Sequence, residues 1–307
     1  MIEGHKENFG IDDYGRERKN VAEPIVLNEK ISYFPSVETP LSSDVIIIKT
    51  DTGYCIFDVG NNSETTKYIN DLKGQKTVVI SHFHIDHTSE LKDFIYDSLY
   101  VGKNTFDAMS NAKKQRERRL SNPEKYVPNN GLADGHTEPG IGDYDNIAFV
   151  DFEKTVTVRE ATCIFNGNSA ENNGFKADAS DETTVDDGTT SDTVQSNESN
   201  TEKVGNCAHI LEVIPFPSTH AKGSLALMVD KEIVFLGDAL YAKFRDESKT
   251  YNVQLLKEQM ELIEALPAES FYLSHDGGKV RNKKFVLRLL NSIYSRREPD
   301  SPVVNWK

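Results

Sequence analysis

The sequence lacks long hydrophobic runs. Nowhere in its 307 residues does an apolar run reach the roughly 18 residues that a membrane-spanning helix needs. The opening residues, MIEGHKENFG, also lack the apolar segment of a secretory signal. We therefore expect a cytoplasmic location and no membrane partner.

Cysteine is scarce as well. Cys55, Cys163 and Cys207 show no CxxC spacing, which excludes the zinc and redox motifs built on that spacing. We predict small buried thiols, with a Cys163–Cys207 disulfide as the alternative.

Positive charge is in short supply. The chain has 35 Lys and Arg against 49 Asp and Glu, a net charge of −14. A protein that coats nucleic acid needs the opposite balance, so nucleic acid is disfavoured as a partner. The basic run KKQRERR, residues 113–119, keeps a local anion site open as an alternative to a solvated helix face.

Two segments are predicted insertions in one domain that spans residues 1–307. Residues 166–205 contain nine acidic residues, two lysines and almost no large apolar side chain, which is typical of a disordered surface insertion. Residues 101–145 begin with a basic helical pattern and continue into a Gly- and Pro-containing loop. We expect this helix–loop insertion to be placed where it could cover an active site.

The remaining chain alternates apolar strands with helices in two similar halves. DVIIIKT, YCIFDVG and KTVVI are predicted strands of the first half, and SLALMVD, EIVFLGD and SFYLSHD of the second. The final helical segment has apolar residues at helical spacing on one face. We predict an α+β fold in which two packed sheets carry helices outside, an αββα sandwich.

The segment SHFHIDHTSE crowds polar groups at the end of a strand. His82 and His84 alternate along an extended chain and so face the same point, whereas Asp86 and His87 require the chain to turn. His220, Asp238 and His275 each end a later apolar run in the same way. Nitrogen and oxygen ligands at neighbouring points suit a pair of divalent metal ions.

HxHxDH, with a later His, a Gly-Asp and a strand-end His, resembles the metallo-β-lactamase superfamily over about residues 30–295. That resemblance implies the αββα sandwich and two metal ions, zinc first and manganese or iron as alternatives. It assigns the first metal to His82, His84 and His220, and the second to Asp86, His87 and His275, with Asp238 and a hydroxide between them.

The resemblance implies hydrolysis of a small-molecule ester, lactone or thioester, with Asp86 passing a proton to the leaving group. Tyr241 follows Asp238 at an offset similar to that of a substrate-contacting tyrosine in N-acyl-homoserine-lactone lactonases, so it is a candidate catalytic residue. Lys222 and His136 are candidate substrate-binding residues.

Two other functions stay open. The basic run at residues 113–119 allows a phosphodiesterase or nuclease of the same superfamily. A metal-binding sensor or interaction domain with little turnover is the third hypothesis, and the complete ligand set disfavours it. His84, where an oxygen-reducing iron enzyme is expected to carry Glu, and Asp238, which true β-lactamases generally lack, disfavour those two activities.

Overall fold

A computed structural model of the protein describes residues 10–11, 17–18, 24–38, 41–121, 154–165, 210–245 and 248–306. The predicted insertion at residues 166–205, with Cys207 and His136, lies outside these ranges, as does the part of the 101–145 segment beyond residue 121. Their predicted roles therefore stay predictions.

Two large sheets make up the centre of the molecule. The first contains, in order across it, β11 (Thr155–Val158), β10 (Ser98–Gly102), β9 (Gln75–Val79), β8 (Gly53–Phe57), β7 (Val45–Lys49), β4 (Ile31–Phe34) and β3 (Ile25–Val26). The second contains β12 (Thr162–Phe165), β13 (Leu211–Pro215), β14 (Leu225–Val229), β15 (Ile233–Phe235), β18 (Ser270–Tyr272) and β19 (Arg281–Asn282).

Helices and smaller sheets complete the described chain. The helices are α1 (Ser63–Asp71), α2 (Ile85–Thr88), a 3₁₀ turn (Ser89–Lys92), α3 (Lys103–Ser121), α4 (Val253–Ala265) and α5 (Lys283–Tyr294). The smaller sheets pair β1 (Gly10–Ile11) with β2 (Glu17–Arg18), β5 (Val37–Glu38) with β6 (Leu41–Ser42), and β17 (Ser248–Asn252) with both β16 (Lys243–Arg245) and β20 (Val303–Trp306). No helix among the described residues is long and apolar enough to cross a membrane.

Each large sheet is buried on both faces. In β7, Ile46 and Ile48 join a core between the sheets, whereas Val45 and Ile47 join a second core that includes residues of α1 and α3. A third core lies between the second sheet and helices α4 and α5. Three apolar layers between four structural layers confirm the predicted αββα sandwich, and they explain why its strands are nearly continuous apolar runs.

Cysteine burial follows position in the sheets. Cys55 lies in the interior strand β8 and is fully buried, as predicted. Cys163 is exposed, contrary to the prediction, because β12 is the edge strand of its sheet. The Cys163–Cys207 pairing stays a prediction.

One edge of the sandwich collects the ends of several strands. In the first sheet β8 runs parallel to β9, and in the second β15 runs parallel to β18. Their carboxyl ends therefore reach one edge of each sheet, and the backbone N–H of Leu225 joins these edges by donating to the carbonyl of Ser81 at 2.7 Å. We call this the upper edge.

Two glycines allow the two sheets to approach closely. A Cβ atom on Gly102, at the end of β10, would lie 2.1 Å from the carbonyl oxygen of Gly223, in the turn before β14. The hydroxyl of Thr105, in the first turn of α3, donates to the same carbonyl at 3.1 Å. The contact leaves no space for a side chain at Gly102.

We expect Gly102→Ala to destabilise the metal-free protein by about 3 kcal/mol, since the added methyl group overpacks a backbone contact. Gly277→Ala is the control, because its Cβ would meet nothing within 4 Å and only its left-handed backbone resists substitution, at about 1 kcal/mol. Urea unfolding measures both losses. If both variants lose the same free energy of unfolding, the sheets accommodate the added methyl group at Gly102 without overpacking.

Candidate metal centre

The HxHxDH segment leaves the upper edge of β9 and turns at once into a helix. His82 follows the strand, and His84 has extended backbone as the N-cap of the one-turn helix α2. That turn directs Asp86 and His87 back towards the strand end, as the break in the alternation predicted. Asp86 and His87 are buried, and the backbone carbonyl of Asp86 accepts the N–H of Ser43.

The first group of candidate ligands consists of three imidazoles. The Nδ1 atom of His84 lies 2.8 Å from Nε2 of His82 and 2.9 Å from Nε2 of His220. Two of these side chains come from the first sheet and one from the second, so the group forms only where both upper edges meet.

The second group contains two imidazoles and two carboxylates. Ligand atoms of Asp86, His87, Asp238 and His275 all lie within 4.8 Å of one another. The Oδ2 atom of Asp238 lies 3.5 Å from Nε2 of His87 and 3.4 Å from Nε2 of His220. Asp238 thus stands between the two groups, as the resemblance implied for a bridging ligand.

Outer hydrogen bonds orient three of the imidazoles. Nδ1 of His87 lies 2.7 Å from Oδ2 of Asp58, and Nδ1 of His220 lies 3.2 Å from the carbonyl of Ala242. Both partners are acceptors, so these Nδ1 atoms carry the protons and Nε2 faces the ligand group. The hydroxyl of Ser81 lies 3.0 Å from Nδ1 of His82.

The pKa shifts differ between the two groups of candidate ligands. Burial and the neighbouring His220 lower the pKa of His84 to about 4, which keeps this imidazole neutral, as a metal ligand must be. Burial raises the pKa of Asp86, but the charge of His87 and the hydrogen bond from His275 lower it to about 2. Burial also opposes protonation of His87, yet the carboxylates of Asp58 and Asp238 raise its pKa well above the ordinary value.

Unsatisfied atoms provide the test of whether a metal fits. Among the described residues, Nε2 of His87 and Oδ1 of Asp238 are buried without a hydrogen-bond partner. Leaving such atoms unpaired is costly, and a divalent cation would satisfy both. The donor set of imidazoles and carboxylates fits zinc, manganese or iron.

Two solved structures share this fold. A beta-lactamase domain protein from Burkholderia ambifaria superposes with a TM-score of 0.51 at 12% identity, covering 89% of this chain and 76% of that one. A metallo-beta-lactamase family protein from Thermus thermophilus superposes with a TM-score of 0.51 at 13% identity, covering 88% and 81%. The chain has the metallo-β-lactamase fold. By sequence, no protein-family model and no curated protein matches it.

The metallo-β-lactamase fold confirms the resemblance at the level of architecture, whereas the similarity to lactonases stays a prediction. All seven predicted ligands come together in two groups: His82, His84 and His220 in one, and Asp86, His87, Asp238 and His275 in the other. Lys222 is exposed two residues after His220, and its role in substrate binding stays a prediction.

Tyr241 lies beside the centre, but its hydroxyl is already engaged. Its ring centroid is 6.4 Å from that of His220, and its O–H donates to the backbone carbonyl of Ser274. His275, the next residue, has a left-handed backbone with φ of 62°. Arg281 also braces this loop through two hydrogen bonds to Asp276, at 2.7 and 2.9 Å. Tyr241 is therefore placed to position His275.

Sequence reasoning missed Asp58 and Ser81. The fully buried Asp58 carboxylate accepts the N–H of Ser81 at 2.7 Å and its hydroxyl at 2.8 Å, in addition to facing His87. The signal was present, since Asp58 ends the apolar strand YCIFDVG just as the ligands end theirs.

Asp44 was also missed. It is buried at the start of β7, where it lines a small cavity with Ser274 and Gly237 directly behind the ligand-bearing loops. Burial raises the pKa of this carboxyl, although the hydrogen bond from the N–H of Ser36 opposes the shift.

We expect Asp58→Asn to weaken metal binding by about 10- to 100-fold, because the amide no longer fixes the protonated Nδ1 of His87. Competition with a coloured chelator measures the affinity, and thermal unfolding of the metal-free variant checks its fold. Asp51→Asn, in the exposed turn between β7 and β8, is the matched control. Unchanged affinity in a folded Asp58→Asn variant would exclude this orienting role.

We expect Tyr241→Phe to weaken binding at one of the two metal positions by about 3- to 10-fold, the equivalent of one lost hydrogen bond. Tyr294→Phe, on the outer helix α5, is the control and should bind as the parent does. The alternative role, a hydrogen bond to the substrate oxyanion, predicts a lower kcat with metal affinity unaltered. Titration of each variant with zinc, followed by kinetics, separates the two roles.

Proposed function

We propose that the protein is a metal-dependent hydrolase that cleaves a carboxylic ester, thioester or lactone. The observation that carries the proposal is the pair of neighbouring ligand groups, with Asp238 between them and two buried ligand atoms that lack a hydrogen-bond partner among the described residues. The metallo-β-lactamase fold supports a metal-dependent hydrolase in general.

Two divalent metal ions, zinc first and manganese or iron as alternatives, fit these groups. Bound metal ions of this kind supply Lewis acidity, which lowers the pKa of water and polarises a carbonyl oxygen. The chain contributes the arrangement of the ligands. His82, His84 and His220 would hold one ion, and Asp86, His87 and His275 the other, with Asp238 shared.

In this proposal Asp86 moves the proton. Its Oδ2 atom lies 3.1 Å from Nε2 of His275 and 3.4 Å from Nε2 of His87. As a carboxylate it could take a proton from the attacking water. Transfer of that proton to the leaving oxygen or sulfur would complete the hydrolysis.

A phosphodiester is the second candidate substrate, favoured by exposed cationic side chains beside the centre. Lys222 follows His220, Lys243 follows Ala242, and Lys279 lies in the loop after His275. In an acidic protein, exposed amines close in sequence to the candidate ligands could attract a phosphate group.

We expect the protein to bind close to two equivalents of zinc or manganese and to lose ester hydrolysis on chelation. Asp238→Asn should lower kcat/KM by more than about 100-fold. Removing a ligand shared by both metal ions should reduce activity more than removing a residue that only hydrogen-bonds to a ligand. Asp230→Asn, at the end of β14 on the opposite edge of the same sheet, is the control. Metal content and p-nitrophenyl butyrate turnover are measured together.

A substrate panel separates the candidates. Faster turnover of butyrate esters, thioesters and lactones than of bis-p-nitrophenyl phosphate supports the proposal, and the reverse order favours the phosphodiesterase. A fully metal-loaded protein inactive on all of them contradicts hydrolysis and favours a sensor.

A further inference from the structure

We infer that the substrate carries an apolar acyl chain, which lies against exposed apolar side chains beside the metal centre. The inference rests on the proposed hydrolase function and specifies its substrate class. The described part of the chain has nine large apolar side chains that are exposed. Four of them stand on segments that hold or adjoin the candidate ligands: Leu41, Ile85, Phe244 and Val280.

These four side chains, the apolar rim, are strongly exposed. The exposed fraction is 51% for Leu41, 38% for Ile85, 52% for Phe244 and 53% for Val280. Single exposed apolar residues are ordinary in a soluble protein, so their number decides nothing. Their positions are informative, because all four stand on segments at the upper edge, and exposed apolar side chains beside a candidate site can form a surface that binds apolar groups.

Ile85 and Leu41 lie on the first-sheet side of the centre. Ile85 stands between the ligands His84 and Asp86. Leu41 belongs to β6, and two residues later Ser43 donates its N–H to the carbonyl of Asp86 at 2.9 Å. The hairpin carrying Leu41 is therefore tied directly to the ligand segment.

Phe244 and Val280 lie on the second-sheet side. Phe244 is two residues beyond Ala242, whose carbonyl accepts the proton of His220 Nδ1. Val280 immediately precedes Arg281, which pairs with Phe271 of β18 in antiparallel register. Val280 consequently lies at the carboxyl end of β18, the same upper edge from which His275 extends.

Phe83 extends the apolar surface inward. Its half-buried ring meets the ring of His84 edge to face, with 5.1 Å between centroids. An apolar ring therefore lies directly against a ligand of the first group. An acyl chain would be in line to follow this surface once its carbonyl carbon reached the metal centre.

The lysines on the same edge fit the product of this reaction. Cleavage of the acyl–oxygen bond by water releases an alcohol and a carboxylic acid, which ionises at neutral pH. Lys222 and Lys279 are exposed close in sequence to the ligands His220 and His275, and their charge would favour that carboxylate. A carboxylate with an apolar chain thus complements both the apolar rim and the positively charged lysines.

The test is a series of p-nitrophenyl esters from acetate to octanoate, below their micelle concentrations, with metal-loaded protein. We expect kcat/KM to rise with each methylene, up to about fourfold where the methylene is fully buried. Phe244→Ser and Val280→Ser should flatten this dependence. Ile95→Ser is the matched control, because Ile95 is 65% exposed but lies at the opposite edge, where its N–H meets the Asn70 side chain at the end of α1.

Binding of the carboxylates separates this inference from the proposed function. Calorimetry with acetate, hexanoate and octanoate requires no turnover, so it can be read even if no ester is cleaved. Tighter binding of longer chains, weakened by Phe244→Ser or Val280→Ser and retained in Ile95→Ser, supports the apolar rim. Equal affinity for all three carboxylates, or a chain-length dependence untouched by both rim variants, overturns it. Absence of turnover of esters, thioesters, lactones and the phosphodiester alike overturns the hydrolase proposal instead.

Discussion

The candidate metal centre depends on the hydrogen bonds that the buried carboxylate of Asp58 accepts. This carboxylate sits at the end of β8 and accepts two hydrogen bonds from Ser81 at the end of β9, so it couples the ends of two neighbouring strands. A fully buried charge is unfavourable unless donors surround it. Ser81 and His87 supply those donors, and the contact that neutralises Asp58 also orients the ring of His87 and, through Ser81, that of His82.

The ligands were predictable because each one interrupts an apolar pattern at a strand end. A polar side chain at such a position is either solvated or bound to a ligand such as a metal ion. Seven of them, in the order of the metallo-β-lactamase motif, favoured metal binding. Asp58 obeys the same rule but has no His beside it in the sequence. Its partners become visible only when the register places Phe57 opposite Val79, which brings the ends of β8 and β9 together.

The layers of the fold were predictable for a related reason. Strands buried on both faces show as continuous apolar runs, and both sheets consist largely of such strands. The sequence indicates less clearly whether a strand lies at the edge or in the interior of a sheet. The strand TCIF has an apolar composition, yet its edge position exposes Cys163, because a strand at an edge lacks a neighbour on one side. The hydrogen-bond partner of the Tyr241 hydroxyl could not be predicted either, because Ser274 comes close to it only in the tertiary structure.

The contact between Gly102 and Gly223 has a consequence for when the candidate metal centre can form. Thr105 and Gly223 are 118 residues apart in sequence, so their contact joins distant parts of the chain and closes a long loop. Each ligand group needs side chains from both sides of it: His82 and His84 require His220, and Asp86 and His87 require Asp238 and His275. Neither half of a nascent chain can assemble a complete group. A complete candidate metal centre therefore requires both halves of the chain, with their two sheets docked against each other.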